Sequence, residues 1–152
     1  DQLRLDHALS RIEHYPNDIG LVFDLGKLRL ERGEYDLAIE QFMESRQSAR
    51  CEIISRMALA ECYEKQGRYD EAVSELETVL SVLPRLDKER LPTTYSLAQI
   101  METTGNKERA LALYKELHEL EPRFRDVSAR IKALEESKAP AAEAAGEETA
   151  KE

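Results

Sequence analysis

The side chains that most often perform chemistry, histidine and cysteine, are few and scattered in this sequence. His7, His14 and His118 are far apart, and none of them adjoins a candidate nucleophile. Cys51 and Cys62 fit neither a CxxC motif nor zinc-ligand spacing, so we expect both to pack as small apolar residues in a reducing compartment. We therefore predict no catalytic residue, no metal site and no cofactor.

The glycines and the carboxylates form no catalytic motif either. The glycines lack the spacing of a GxGxxG or P-loop motif, so they are not placed to cradle a phosphate. Glu71 and Glu75 carry the same charge one helical turn apart, a pattern typical of a solvated helix face. Glu61 and Lys65 stand in the favourable order for an ion pair along a helix, which adds a little stability but no chemistry. These observations predict a protein that is not an enzyme.

An internal repeat shows which elements carry the remaining side chains. The segment GEYDLAI at 33–39 recurs as GRYDEAV at 67–73, which is 34 residues later. A third copy, GNKERAL at 105–111, follows after 38 residues. The sequence therefore contains three copies of one structural unit, with four extra residues between the second copy and the third.

Each copy contains two amphipathic stretches. They cover 19–32 and 35–48, 52–66 and 69–83, and 93–104 and 107–119. A glycine separates the two stretches of each copy, and glycine ends helices because it adopts the left-handed conformation without a Cβ penalty. Helix pairs this short cannot bury an apolar face alone and must stack on one another. The sequence thus predicts an all-α fold, an alpha-alpha superhelix (solenoid) of antiparallel helix pairs.

The flanking segments extend the same pattern. An apolar stripe at Phe124, Val127, Ile131 and Leu134 is typical of a terminal helix with one buried face. The predicted parts are a helix of a truncated preceding repeat or N-terminal cap (1–16), three repeats (17–50, 51–84 and 85–122, the last with a four-residue insertion), a C-terminal capping helix (123–136) and a disordered or frayed Ala/Glu-rich tail (137–152).

Composition excludes several functional classes. Apolar residues make up 41% of the chain, too many for full disorder, and no apolar run is long enough to cross a membrane. The net charge is −9 without a visible basic stripe, which disfavours binding to nucleic acid. Cytoplasmic is the default expectation for location, although the chain starts at Asp1 and a targeting segment could have been removed.

The repeat resembles the tetratricopeptide repeat, a 34-residue helix–turn–helix. The residues that carry the resemblance are Leu25, Gly26, Gly33, Tyr35, Ala38 and Phe42 in the first copy, Leu59, Ala60, Tyr63, Gly67, Tyr69, Ala72 and Pro84 in the second, and Gly105, Ala110, Tyr114 and Pro122 in the third. The tryptophan of the family pattern is absent, and Val22, Arg56 and Thr94 stand in its place. The resemblance implies a fold that usually binds other proteins in a concave groove.

In that family the first helix of each pair lines the groove. The matching residues are Phe23 and Lys27, Met57 and Glu61, and Tyr95 and Gln99. Three of them, Phe23, Met57 and Tyr95, would form an apolar strip that holds a peptide or helix, unless they pack between neighbouring helices instead. The paired Lys and Asn residues with which one sub-type grips a C-terminal carboxylate are missing at these positions, so no carboxylate clamp is expected.

The sequence therefore predicts a protein–protein interaction scaffold whose partner is a protein or peptide. Two alternatives stay open at this point. One is a helical repeat that binds nucleic acid, which the acidic charge disfavours. The other is an assembly module that associates through its array ends, giving a monomer or a weak homodimer through the N-terminal helix.

Overall fold

The computed structural model describes the backbone of residues 1–148 and the side chains of residues 1–138. These residues form eight helices and no strand: α1 (Gln2–His14), α2 (Ile19–Glu31), α3 (Tyr35–Ser45), α4 (Glu52–Lys65), α5 (Tyr69–Val82), α6 (Arg90–Thr103), α7 (Lys107–Leu120) and α8 (Val127–Glu148). The helices α2–α3, α4–α5 and α6–α7 pack as three hairpins. The chain divides into two compact units, Asp1–Leu83 with α1 to α5 and a second unit from Pro84 with α6 to α8.

The turns of the three hairpins share one backbone conformation. Gly33, Gly67 and Gly105 adopt positive φ values of 76°, 72° and 85°, as predicted. In each turn the N–H of the residue after the glycine donates to a carbonyl oxygen five residues back, over 2.9 Å, 2.8 Å and 2.8 Å. This Schellman arrangement satisfies carbonyl groups that the end of a helix leaves without partners. Glycine thus permits the second helix of each hairpin to start two residues after the glycine.

Small residues let the two helices of a hairpin approach closely. In the first hairpin, a Cβ atom added to Gly26 would lie 2.7 Å from the ring of Phe42, a residue with no exposed surface. The small residues at the six equivalent positions are all buried: Gly26, Ala60, Ala98, Ala38, Ala72 and Ala110. Small side chains at these positions therefore pack inside the hairpins.

Helix α1 packs on the first hairpin through an apolar stripe. Leu5 is buried against Leu25 and Leu28 of α2, and Ala8 and Ile12 complete the contact. The helix therefore covers one end of the first unit's apolar core, and it leaves other apolar side chains in solvent.

The extra residues after the second copy are taken up mainly by a longer helix. Helix α5 has 14 residues where α3 has 11, and the connection that follows α5 is one residue longer than the one that follows α3. Helix α6 then starts at Arg90, and Pro92 lies in its first turn, where a missing N–H leaves no hydrogen bond unmade.

The C-terminal boundary differs from the sequence-based expectation. Helix α8 does not end near residue 136 but continues to Glu148, across most of the segment 137–152 for which we expected disorder or fraying. Alanine and glutamate have high helix propensity, which explains how a helix continues without an apolar stripe. Residues 149–152 lie outside the described residues.

Candidate functional site

Helices α2 and α4 of the first unit carry four of the six predicted groove residues. We call Phe23, Lys27, Met57 and Glu61 the α2–α4 face. The two helices contact each other directly, and Phe23 and Met57 occupy equivalent repeat positions, 34 residues apart. Both side chains are partly exposed, whereas Lys27 and Glu61 are exposed. The first unit therefore presents two apolar side chains beside two opposite charges.

Phe23 is held in place from both sides. Its ring centroid lies 5.5 Å from that of Phe42 on α3, in a tilted arrangement. The ammonium group of Lys27, one turn along α2, lies 5.9 Å from the centroid of the Phe23 ring. Aromatic pairing and a cation near the ring face both favour one side-chain position. The ring is thus preorganised although part of it remains in solvent.

The next turn of α4 brings a second carboxylate to the same region. Glu64 is half-buried, and burial raises its pKa, an effect that nearby Lys65 opposes and Glu61 reinforces. Burial has this effect because a low-dielectric surrounding disfavours the charged form of a carboxyl group. Among the described residues, neither Glu61 nor Glu64 has a cation within ion-pair distance. The α2–α4 face therefore adjoins negative charge that the protein does not neutralise.

The predicted groove residues of the second unit, Tyr95 and Gln99, contact neighbouring side chains. Tyr95 is only 5% exposed, and its ring packs edge-on against Tyr114 and Phe124, each 5.9 Å away between centroids. The half-buried Gln99 donates a hydrogen bond of 3.4 Å to the hydroxyl oxygen of Tyr95. Tyr95 therefore packs between neighbouring elements, which was the alternative to an exposed apolar strip through Phe23, Met57 and Tyr95.

A polar network that the sequence did not reveal explains this burial. The hydroxyl of Tyr95 donates to Asp126, and the guanidinium of Arg130 donates to the same carboxylate over 2.9 Å. Arg130 also donates to Glu102 over 2.8 Å, and the hydroxyl of Tyr114 donates to Glu102 over 3.0 Å. The hydrogen bonds from Tyr95 and Arg130 hold the pKa of Asp126 below its usual value.

The cation and the two phenols of the network, in contrast, have raised pKa values. Burial alone would lower the pKa of Arg130, but its hydrogen bonds to Asp126 and Glu102 outweigh that effect and raise it. Burial, followed by the hydrogen bond to Glu102, raises the pKa of Tyr114. The guanidinium is therefore charged and both phenols are neutral at physiological pH. Their role is to join α6, α7 and α8, and they supply no group poised for proton transfer.

The first unit contains a comparable cluster around Glu75. This carboxylate, expected on a solvated face, is only 8% exposed. It accepts hydrogen bonds of 2.5 Å from Arg46 at the end of α3 and 2.9 Å from Arg56 on α4. Arg56 also donates to Glu52 over 3.1 Å. The expectation for Glu75 was wrong, because residues 29 and 19 positions away determine its surroundings and no local pattern reports them.

His14, His118 and both cysteines have surroundings typical of residues with a structural role. A ring nitrogen of His14 lies 2.7 Å from the carbonyl oxygen of Ser10, and one of His118 lies 3.3 Å from the hydroxyl of Ser128. Both cysteines are buried free thiols, and burial raises the pKa of Cys62 to about 12. Within residues 1–138, no three His, Cys, Asp or Glu side chains are grouped so that they could hold a metal ion.

None of the helices over the described range is both long enough and apolar enough to cross a membrane.

Comparison with known proteins agrees with the helical-hairpin architecture. The family model of the tetratricopeptide repeat matches residues 52–120, which include the second and third hairpins. No curated protein sequence matches the chain. Three solved structures illustrate the likeness in fold.

A crystal structure of MamA is 16% identical, with a TM-score of 0.76 over 89% of this chain and 77% of MamA. The first tetratricopeptide repeat domain of Spaghetti (RPAP3), bound to the HSP90 peptide SRMEEVD, is 15% identical, with a TM-score of 0.69 over 80% of this chain and 93% of that chain. The tetratricopeptide repeat domain of Arabidopsis OM64 is 13% identical, with a TM-score of 0.67 over 78% of this chain and 95% of that chain. The predicted fold class, an all-α helical-repeat solenoid, is confirmed.

Proposed function

In this chain, whose second and third hairpins match the tetratricopeptide repeat, we propose that the α2–α4 face binds a peptide or helix of a partner protein. One observation carries the proposal: Phe23 and Met57 sit at equivalent positions on two contacting helices, and both keep part of their side chain in solvent. Apolar side chains that are fixed but accessible are the usual anchors of a binding surface. The chain then acts as an interaction scaffold and performs no reaction.

The geometry suits a segment of another chain better than a small molecule. Two anchors on neighbouring helices, flanked by Lys27 and Glu61, can receive successive apolar side chains of a partner and discriminate among the polar residues between them. The Spaghetti (RPAP3) domain, which has a similar fold, is bound to a peptide, and this supports the proposal. Tyr95 and Gln99 are not part of it, because the Tyr95 ring is enclosed within the second unit.

The test is a selection of peptides followed by substitution of the anchors. A displayed random-peptide library is selected on the whole chain, and the affinities of the recovered peptides are measured by fluorescence anisotropy. Phe23→Ala combined with Met57→Ala should weaken binding by about tenfold or more, because each truncation removes buried anchor area. Circular dichroism should show unchanged helix content in the double variant.

Met43→Ala is the matched control. Met43 is 43% exposed and lies on α3, the second helix of its hairpin. The control should bind the selected peptides as the unmodified chain does. If Met43→Ala weakens binding as strongly as the anchor substitutions, the binding surface lies on the second helices and the proposal is wrong.

Self-association through α1 is a second candidate, which a specific observation favours. Leu3 and Leu9 of α1 are 81% and 37% exposed, and Tyr15, which follows the helix, is 65% exposed, so apolar side chains in and next to α1 remain in solvent. A second copy could cover that surface. Analytical ultracentrifugation should then show a dimer at high concentration that Leu3→Glu with Leu9→Glu abolishes. A monomer at all concentrations would exclude it.

A further inference from the structure

The negative charge of the chain is concentrated in the first unit. Residues 1–83 contain 17 acidic and 10 basic side chains, a net charge of −7, whereas the whole chain carries −9. Charge complementarity steers partners and selects among them more than it adds raw affinity. A partner of the first unit therefore meets a field that attracts cations.

Within that unit, many of the carboxylates away from the α2–α4 face are already paired. Glu34 accepts from Arg32 over 2.7 Å, Glu71 from Arg68 over 2.8 Å, and Glu75 from Arg46 and Arg56. Such carboxylates are neutralised locally and offer little to a ligand. The negative charge that a ligand could pair with therefore belongs to the unpaired carboxylates.

Glu61 and Glu64 supply available charge next to the apolar anchors. They are three residues apart on α4 and therefore lie on one side of the helix, one and two turns beyond Met57. In the part of the chain with described side chains, no ion pair engages either of them. Lys27, the cation of the α2–α4 face, points its ammonium group at the Phe23 ring on α2. Glu64 in particular is half-buried without an ion-pair partner, and nearby Lys65 offsets only part of the cost of burying its charge.

Resting on the proposed function, we infer that the segment bound by the α2–α4 face is basic and amphipathic. Its apolar side chains contact Phe23 and Met57, and its Lys or Arg side chains pair with Glu61 and Glu64. A guanidinium or ammonium group would supply the ion-pair partner that Glu64 lacks in the free protein. An acidic segment, such as the SRMEEVD peptide held by the Spaghetti (RPAP3) domain, is the wrong ligand for this surface.

The experiment compares three dye-labelled synthetic peptides on the whole chain. The first two carry leucine at the same positions of a short amphipathic helix and differ only in having Lys and Arg or Glu at the intervening positions. The third is SRMEEVD. We expect the basic peptide to bind about tenfold or more tightly than its acidic counterpart at low salt, and the difference to shrink as salt screens the charges.

Two double variants that each remove two negative charges show which carboxylates attract the basic peptide. Glu61→Gln with Glu64→Gln should reduce the affinity for the basic peptide by about tenfold. Glu40→Gln with Glu44→Gln, on the exposed side of α3, changes the net charge by the same amount and should have a much smaller effect. An equal loss in both variants means that net charge alone attracts the peptide, and it overturns the inference.

The remaining outcomes separate this inference from the proposed function. If the acidic peptide binds as tightly as the basic one, and Phe23→Ala with Met57→Ala weakens it, the α2–α4 face is a binding surface but its partner is not basic. If the basic peptide does not bind up to about 1 mM, the inference is also wrong. If peptides bind but none depends on Phe23 or Met57, the proposed function itself fails.

Discussion

The ring of Phe42 fills the space that a side chain at Gly26 would need. A Cβ atom on residue 26 would lie 2.7 Å from one ring carbon of Phe42 and 2.9 Å from a second. Phe42 has no exposed surface, so the ring cannot move away into solvent. In the second hairpin the equivalent positions hold Ala60 and Leu76, a larger residue facing a smaller one.

This complementarity predicts non-additive substitutions. Gly26→Ala should lower the free energy of unfolding by about 1–2 kcal/mol, because overpacking outweighs the better helix propensity of alanine. Combining it with Phe42→Leu copies the second hairpin, so the double variant should be more stable than the sum of the two single effects by about 1 kcal/mol. Urea unfolding of the four proteins measures this coupling. Strict additivity would show that the two side chains do not compete for space.

The ion cluster around Glu75 predicts a large effect from a small change. Glu75→Gln removes the carboxylate that both Arg46 and Arg56 contact, and it leaves two cations without their shared counter-charge. We expect a loss of about 2 kcal/mol in thermal or urea unfolding. Glu71→Gln, one turn away on the same helix, is the control, because an exposed pair with Arg68 contributes little. Equal effects of the two substitutions would contradict the structural role of burial.

The lowered pKa of Asp126 predicts acid sensitivity. A carboxyl group whose pKa falls on folding stabilises the native state above its unfolded pKa of about 3.8, and this stabilisation is lost as pH falls through the folded value. Asp126→Asn should therefore lower the melting temperature at pH 7 and have a smaller effect near pH 3. Thermal unfolding followed by circular dichroism at both pH values tests this. If Asp126→Asn lowers the melting temperature by the same amount at pH 7 and near pH 3, the mechanism is excluded.

Glu64 predicts the opposite pH dependence. A carboxyl group whose pKa rises on folding destabilises the native state when it is ionised, and this penalty disappears as pH falls through the folded value. Glu64→Gln should raise the melting temperature at pH 7 but not at pH 4. Glu61→Gln, at an exposed position, should leave it nearly unchanged. A lower melting temperature for Glu64→Gln would show that its carboxylate is satisfied in the native state.

Both thiols should be unreactive in the folded protein. Cys51 and Cys62 are buried, and the pKa of Cys62 is raised to about 12, so the reactive thiolate is scarce at pH 8. Ellman's reagent should label neither cysteine in native buffer and both in denaturant. The control is Cys62→Ala, which should label at one site in denaturant. Rapid labelling of the native chain would mean that the helices around Cys62 open easily.

The sequence by itself determined the number of hairpins and the glycine turns within them. These features depend on local physics: glycine alone accepts the left-handed turn at Gly33, and a 34-residue period aligns equivalent helix faces. The continuation of α8 to Glu148 was not predicted although it too is local, because a sequence of high helix propensity can stay helical without an apolar stripe.

Tertiary structure alone decided which of two similar side chains is buried. Glu71 and Glu75 look alike in the sequence, yet only Glu75 is enclosed, because Arg46 and Arg56 approach it from other helices. Phe23 and Tyr95 hold the same position in two repeats, and Tyr95 is covered because Phe124 and Asp126 pack against it. Burial is set by residues distant in the chain, and a periodic pattern carries no information about them.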